Sequence, residues 1–386
     1  MKLFIVPSWY PTTLHPESGS FFADRARILQ TGGHEVTVIT AHIHSLRHYF
    51  RFRRLKHRHI NPENENGLTT YRFETVNPWP KIQRRFFYYY RRQLLRLWDL
   101  AVAERGKPDA AVINSSLWAG ATLADRLEHE RIPFVVSEHL KEFLTPGSFT
   151  AFQYNAIIKT FFSAARIVAT SSALKKGIAL NFPQIKEKIH IIANPVDTDI
   201  FRPALKTAET TIFTFVTTAL FRPEKRIDLL IKAFAQLKFI RPNTRLVIIG
   251  DGPERNRLRK LIKYRQLEQQ ITLEGYQPQA ELHRILKCCH ALVLTSTVET
   301  FGVALIEAMA CGLPVIATRC GGPEDIVTDA TGLLVDKDDP VAIQRGLERM
   351  IDEYQNFDPA LIRQTTIERF GSTNYIKQYT DLLSNL

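Results

Sequence analysis

Short apolar runs alternate with helix-patterned segments along this chain, and the alternation occurs twice. In the first half the strand-like runs lie at 2–7, 35–40, 110–113, 134–137, 166–170 and 189–193, with a helical pattern at 21–30 stopped by Gly32-Gly33. In the second half they lie at 212–217, 245–249, 271–273, 291–294, 315–317 and 333–335, with helical patterns between them, as at 227–239. Parallel strands need crossovers long enough to hold a helix, so this pattern demands sheets flanked by helices. Asn194-Pro195-Val196-Asp197 breaks the first series, and Phe201-Arg202-Pro203 opens a linker. The fold class expected is α/β, with two doubly wound domains, 1–197 and 198–371, and a cleft between them. Each is long enough for its own core. A last helical pattern covers 373–383.

No apolar run approaches the length of a transmembrane helix, and residues 1–9 are too short and too early broken to serve as a signal peptide. The four cysteines, at 288, 289, 311 and 320, show neither metal-site spacing nor a disulfide framework, which fits reduced thiols in cytoplasm. The net charge of +12 is unevenly placed. Residues 1–197 carry 27 Lys+Arg against 16 Asp+Glu, and the stretch 47–96 alone carries 13 against 3. There, Arg51, Arg53, Arg54, Arg84 and Arg85 interleave with Phe50, Phe52, Phe86, Phe87 and Tyr88–Tyr90. Basic residues among rings suit an anionic membrane surface, where rings sit at headgroup level. They also suit nucleic acid, or a solvated basic face whose rings turn to the core. The confinement of the charge and the lack of a recognition motif argue against nucleic acid.

Glu299 and Glu307 stand eight positions apart around Gly302, at the opening of an apolar helical run that follows the strand-like 291–294. Eight helical residues span roughly 12 Å, about the distance from ribose to sugar in an extended nucleotide sugar. One ligand could meet both carboxylates through its hydroxyls. The helix N-terminus between them offers N–H groups and partial positive charge to a diphosphate. Two Glu on a helix are ordinarily just solvated, but their setting is specific.

The stretch 296–322, continuing Gly321-Gly322-Pro323-Glu324, resembles the donor-site signature of retaining glycosyltransferase family 4, whose fold is GT-B. The resemblance implies two Rossmann-like domains facing across a cleft, an acceptor-binding 1–197 and a donor-binding 198–371, with a C-terminal helix at 372–386 crossing back onto the first. It places the family's Glu-x7-Glu motif on Glu299 and Glu307, with Glu299 at the donor sugar and Glu307 at the ribose. Thr300, Phe301, Gly302 and Val303 lie in the same donor loop, the last three giving backbone N–H groups. Lys225 falls on the Lys of a family pattern Gly-Arg-x-x-x-x-Lys-Gly, as ligand of the diphosphate. The chain departs from that pattern at Ala219, Leu220 and Arg226, and Arg222 stands as a substitute for the cation missing at Leu220. Gly19, after a Pro-rich loop, matches the N-terminal loop. His139, at the end of the run from Phe134, matches a His that lines the cleft near the transferred sugar; alternation turns Glu138 the other way. Gly250-Asp251-Gly252-Pro253 is a turn first and a loop near the nucleotide by resemblance.

No Asp-x-Asp pair is present in that loop, and cationic groups are available for the leaving diphosphate, so neither metal nor other cofactor is expected. The function implied is a retaining glycosyltransferase that moves a hexose or hexosamine from a UDP- or GDP-sugar to a lipid-linked or cell-envelope glycan. It would sit on the cytoplasmic face of the membrane and bind no nucleic acid. The alternatives are a nucleotide-sugar epimerase of the same fold, a basic nucleic-acid-binding protein and a non-catalytic glycosyltransferase-like protein.

Overall fold

The computed structural model describes residues 1–386 apart from 13, 16–17, 46–61, 66, 78–81, 146 and 204–210. The chain divides into two compact units. The first is Met1–Thr170, Leu174–Ile192 and Tyr375–Leu386; the second is Ser171–Ala173 and Ala193–Asn374. The division thus falls at 192/193 rather than 197/198, and the return to the first unit comes at Tyr375, inside the last helix.

The strands of the first unit are β1 (Lys2–Pro7), β2 (Glu35–His44), β3 (Pro62–Glu65), β4 (Leu68–Val76), β5 (Ala110–Asn114), β6 (Phe134–Glu138), β7 (Arg166–Ala169) and β8 (Ile189–Ile191). They form one sheet in the order β3-β4-β2-β1-β5-β6-β7-β8, parallel throughout except for β3 against β4. Its helices are α1 (Ser20–Thr31), α2 (Gln83–Arg105), α3 (Ala121–Glu130), α4 (Ala151–Ser163) and α5 (Ser172–Asn181), whose first residues count with the second unit. Strand alternation feeds two cores. Phe4 and Val6 of β1 face one with Leu94, Leu97 and Trp98 of α2, while Leu3 and Ile5 face the other with Phe22, Ala26 and Leu29 of α1.

The second unit has β9 (Phe213–Thr218), β10 (Thr244–Ile249), β11 (Ile271–Gly275), β12 (Ala291–Leu294), β13 (Val315–Thr318) and β14 (Gly332–Val335). All are parallel, in the order β11-β10-β9-β12-β13-β14. Its helices are α6 (Ile227–Ile240), α7 (Arg255–Tyr264), α8 (Gln279–Leu286), α9 (Val303–Ala310), α10 (Pro340–Asp352) and α11 (Pro359–Phe370). The last helix, α12 (Ser372–Ser384), lays Tyr375, Tyr379, Leu382 and Leu383 into the α1 side of the first unit's core.

Two stretches of the chain differ from the sequence expectation. The strands β3 and β4 lie where only a basic stretch was expected, and the basic run from residue 83 is the start of a 23-residue helix, α2. The stretch between Glu299 and Glu307 is not one helix either: α9 begins only at Val303, because Gly302 sits at φ 116°, outside helical geometry. A span of roughly 12 Å along one helix axis therefore does not describe the separation of the two carboxylates.

Candidate functional site

In the second unit the strand order reverses between β9 and β12, and open α/β sheets bind ligands at the carboxyl ends of the strands at that point. The two loops that leave these strands carry Lys225 and Glu299. After β9 the chain runs through Ala219–Arg222 into a short 3-10 turn, Pro223–Lys225, and then into α6. After β12 it crosses Thr295–Thr300 into α9. The loops are tied directly: the Thr295 hydroxyl donates to the carbonyls of Lys225 (3.0 Å) and Arg226 (3.2 Å), and Thr297 N–H donates to Glu224 O (2.9 Å).

The result is an ion pair, Lys225 Nζ to Glu299 Oε2 at 2.5 Å, with both side chains largely but not wholly buried. The Ser296 hydroxyl also donates to Glu299 Oε2 (3.3 Å). The backbone of Glu299 is clamped: its N–H donates to Cys320 O (3.0 Å) and its carbonyl accepts from Gly322 N–H (2.7 Å). That clamp needs Gly322, since a Cβ there would lie 2.3 Å from Phe301 Cα and O. Glu324 holds the same turn by accepting from Cys320 N–H (3.2 Å) and Gly321 N–H (2.9 Å). Phe301 anchors the loop from below, buried and edge-on to Phe370 at 5.8 Å. Gly302 is the N-cap of α9 and has no side chain with which to cap it. Glu307 lies on α9 itself, partly buried, and Thr300 is partly buried at the loop. Cys320, beside Glu299, is no thiolate: burial pushes its thiol up to about 12.

Arg222 is extended and exposed, without a side-chain partner among the described residues. Arg226 occupies the left-handed region, φ 48°, where the family pattern has Gly. The departure from pattern is explained locally, because its guanidinium pairs with Asp228 and Asp338. Gly250 and Gly252 prove to be packing glycines. A Cβ on the first would meet Ala219 O at 1.9 Å and on the second Phe221 O at 2.7 Å, so the loop after β10 braces the one that carries Lys225.

Gly19 and His139 belong to the first unit. Gly19 caps α1 at φ 68°, and a Cβ on it would strike Trp9 O at 2.7 Å. His139 follows β6 directly; its Nε2 lies 2.6 Å from Arg25 Nη1 and 3.1 Å from Ser137 Oγ. Burial, then the Arg25 charge, holds its imidazole well below the usual range. Glu138 points the other way and is fully buried, accepting from Ser116 N–H (2.9 Å) and Oγ (2.5 Å) and from the amides of His139 (2.7 Å) and Leu140 (3.0 Å). Sequence reasoning passed over Arg25, for a lone Arg in a helical pattern gives no sign that it is buried.

Of the basic patch, Arg51, Arg53 and Arg54 lie outside the described residues. Arg84 and Arg85 are exposed on α2 and, with Tyr88, Tyr89 and Arg92, line a cavity of about 360 Å³. The rings divide. Phe86, Phe87 and Tyr90 pack on Trp118 at 5.3, 5.9 and 6.0 Å, and among the described rings of the patch only Tyr88 is well exposed. Among the described residues no helix is long and apolar enough to cross a membrane.

Comparisons with known proteins bear on the family and the fold. The family model described as Glycosyl transferases group 1 matches residues 197–365, and that described as Glycosyltransferase Family 4 matches 19–200. A phosphatidylinositol N-acetylglucosaminyltransferase component of Arabidopsis thaliana is 30% identical over 50% of this chain and 43% of its own. An N-acetyl-alpha-D-glucosaminyl L-malate synthase of Bacillus anthracis is 32% identical over 41% of this chain and 42% of its own. The matched stretch thus spans less than half the length of either relative. The crystal structure of Anabaena HepE in complex with UDP superposes over all of both chains with a TM-score of 0.76 at 18% identity, a likeness of fold. The two family models together take in residues 19–365, and the chain belongs to the group 1 glycosyl transferases of glycosyltransferase family 4, on a GT-B fold.

Proposed function

We propose that the chain is a metal-independent, retaining glycosyltransferase that takes a hexose or hexosamine from a UDP- or GDP-sugar. Its acceptor is a hydroxyl of a lipid-linked or cell-envelope glycan at the cytoplasmic face of a membrane. The observation that carries the reading is the Lys225–Glu299 pair at the strand-order reversal of the second unit. A departing nucleoside diphosphate gathers negative charge while the anomeric carbon becomes oxocarbenium-like. Lys225 neutralises the first, and the carboxylate of Glu299, held by its backbone clamp, stabilises the second. Arg222 joins Lys225 at the diphosphate, as do the amides of Phe301, Gly302 and Val303 at the start of α9. Glu307 accepts from the ribose hydroxyls, and Gly19 and His139 serve from the first unit. These cations and amides supply the neutralisation that a metal ion supplies elsewhere. The relatives whose names specify N-acetylglucosaminyl transfer, and HepE solved with UDP, support a UDP-hexosamine first.

A thermal-shift screen of UDP-, GDP- and ADP-sugars, followed by product analysis with and without a glycan acceptor, tests the reading. A rise in melting temperature with a UDP- or GDP-sugar, and a product formed only with acceptor, is expected. A new nucleotide sugar made without acceptor would point to an epimerase, and no response to any nucleotide sugar would defeat the proposal.

A further inference from the structure

Arg25, on α1, is 4% exposed, yet none of its hydrogen-bond partners among the described residues is a carboxylate. Its Nε donates to the Tyr375 hydroxyl (2.6 Å), and one terminal nitrogen donates to Ser137 Oγ (2.8 Å) and the Tyr379 hydroxyl (2.7 Å). The other faces His139 Nε2 at 2.6 Å. The rings of Phe22, Tyr375 and Tyr379 stand at 5.9, 5.5 and 5.7 Å from its guanidinium carbon. Burying a cation without a counter-ion costs folding free energy, so its donors need a purpose.

A guanidinium has donors only and keeps its proton. His139 Nε2 must therefore accept, and a ring that accepts there is neutral with its proton on Nδ1. Among the described residues that proton has no acceptor. Ser137 Oγ lies by Nε2, the rings of Phe21 and Phe22 pack on the imidazole at 5.5 and 4.9 Å, and the Glu138 carboxylate takes the backbone N–H of His139. Tyr375 and Tyr379, from α12, reach Arg25 rather than the ring. Nδ1 has no hydrogen-bond partner among the described residues, and the residue is only partly buried.

We propose that Arg25 is a positioning residue that locks His139 as the Nδ1–H tautomer, leaving that N–H to donate to an oxygen of a bound sugar. The sugar contact rests on the glycosyltransferase reading; the lock does not. It follows that His139 is not the base that takes the acceptor's proton, since its one lone pair is occupied by Arg25. It follows too that α12, through two tyrosine hydroxyls, sets the hydrogen-bonding face of a residue at the end of β6.

Protein with ¹⁵N-labelled histidine tests the lock directly, because long-range ¹H–¹⁵N correlations report which ring nitrogen holds the proton. The signal of His139 is identified by its loss in His139→Gln. A single neutral Nδ1–H form from pH 5 to pH 8 is expected, while an Nε2–H or cationic ring at pH 7 would overturn the proposal without any variant. In Arg25→Met the neutral ring should spread over both tautomers, its pKa rising with loss of the Arg25 charge but staying below the ordinary range because the burial remains, and Arg25→Lys should restore the single form. An Arg25→Met ring that stays locked would also overturn it. If the lock is found but no nucleotide sugar is turned over, the proposed function fails and the lock stands.

Discussion

At the scale of single residues, some side chains do chemistry and others permit the backbone to hold them in place. Lys225→Ala should lower turnover by about 10²-fold, the scale for losing a preorganised charge stabiliser, with steady-state rates as the check. Arg222→Ala, which removes an exposed group, should cost less; equal losses would mean the two share one role. Arg226 offers a conformational test. Its ion pairs are partly exposed and worth about 1 kcal/mol or less, whereas the left-handed region costs a non-glycine residue about 1–2 kcal/mol. Arg226→Gly should therefore be more stable than Arg226→Ala by about 1 kcal/mol, read from denaturant midpoints at constant slope. Gly322→Ala should destabilise by about 1–3 kcal/mol, as overpacking does, and should also weaken nucleotide binding by pushing the Glu299 loop off its clamp. The motif singled out Glu299, Lys225 and Glu307, and the structure brings the first two together. Gly322 was legible only as part of the signature, its contact with Phe301 being a matter of three dimensions. Arg25 left no trace, because the groups that receive it are distant in sequence, two of the three hydroxyls coming from the far end of the chain.

At the scale of elements, the continuous apolar runs of β1, β5, β6, β12 and β13 were readable because parallel strands buried on both faces must be apolar throughout. β4, Leu68–Val76, was not, since charged and hydroxyl residues interrupt it, and α2 was hidden by the rings and arginines of its first turns. Those turns carry the membrane prediction. Phe86, Phe87 and Tyr90 are engaged with Trp118, so the surface that remains is Arg84, Arg85, Arg92 and Tyr88. Basic residues near an anionic bilayer contribute about 1 kcal/mol each, screened by salt. The protein should float with vesicles containing anionic lipid at low salt and not at high salt. Neutralising Arg51, Arg53, Arg54, Arg84 and Arg85 together should abolish flotation while leaving nucleotide binding unaltered. Failure of the unmodified protein to float at low salt would favour a soluble acceptor.

At the scale of the whole molecule, two α/β units of like construction divide the work proposed here, the second holding the donor and the first the acceptor. The division was readable from the repeated alternation, though the boundary lies a few residues earlier than the Asn-Pro break suggested, because Ala193–Asp197 packs with the unit that follows it. The central claim is that the loops after β9 and β12 hold a nucleoside diphosphate without a metal. Calorimetric titration of UDP and GDP into the full chain in the presence of EDTA addresses it most directly. One nucleotide bound per chain is expected, with affinity lowered at least tenfold in Lys225→Ala and in Glu307→Ala, the loss of one charge-assisted contact of about 1.5–3 kcal/mol. No binding of either nucleotide, or affinity unchanged in both variants, would contradict the account.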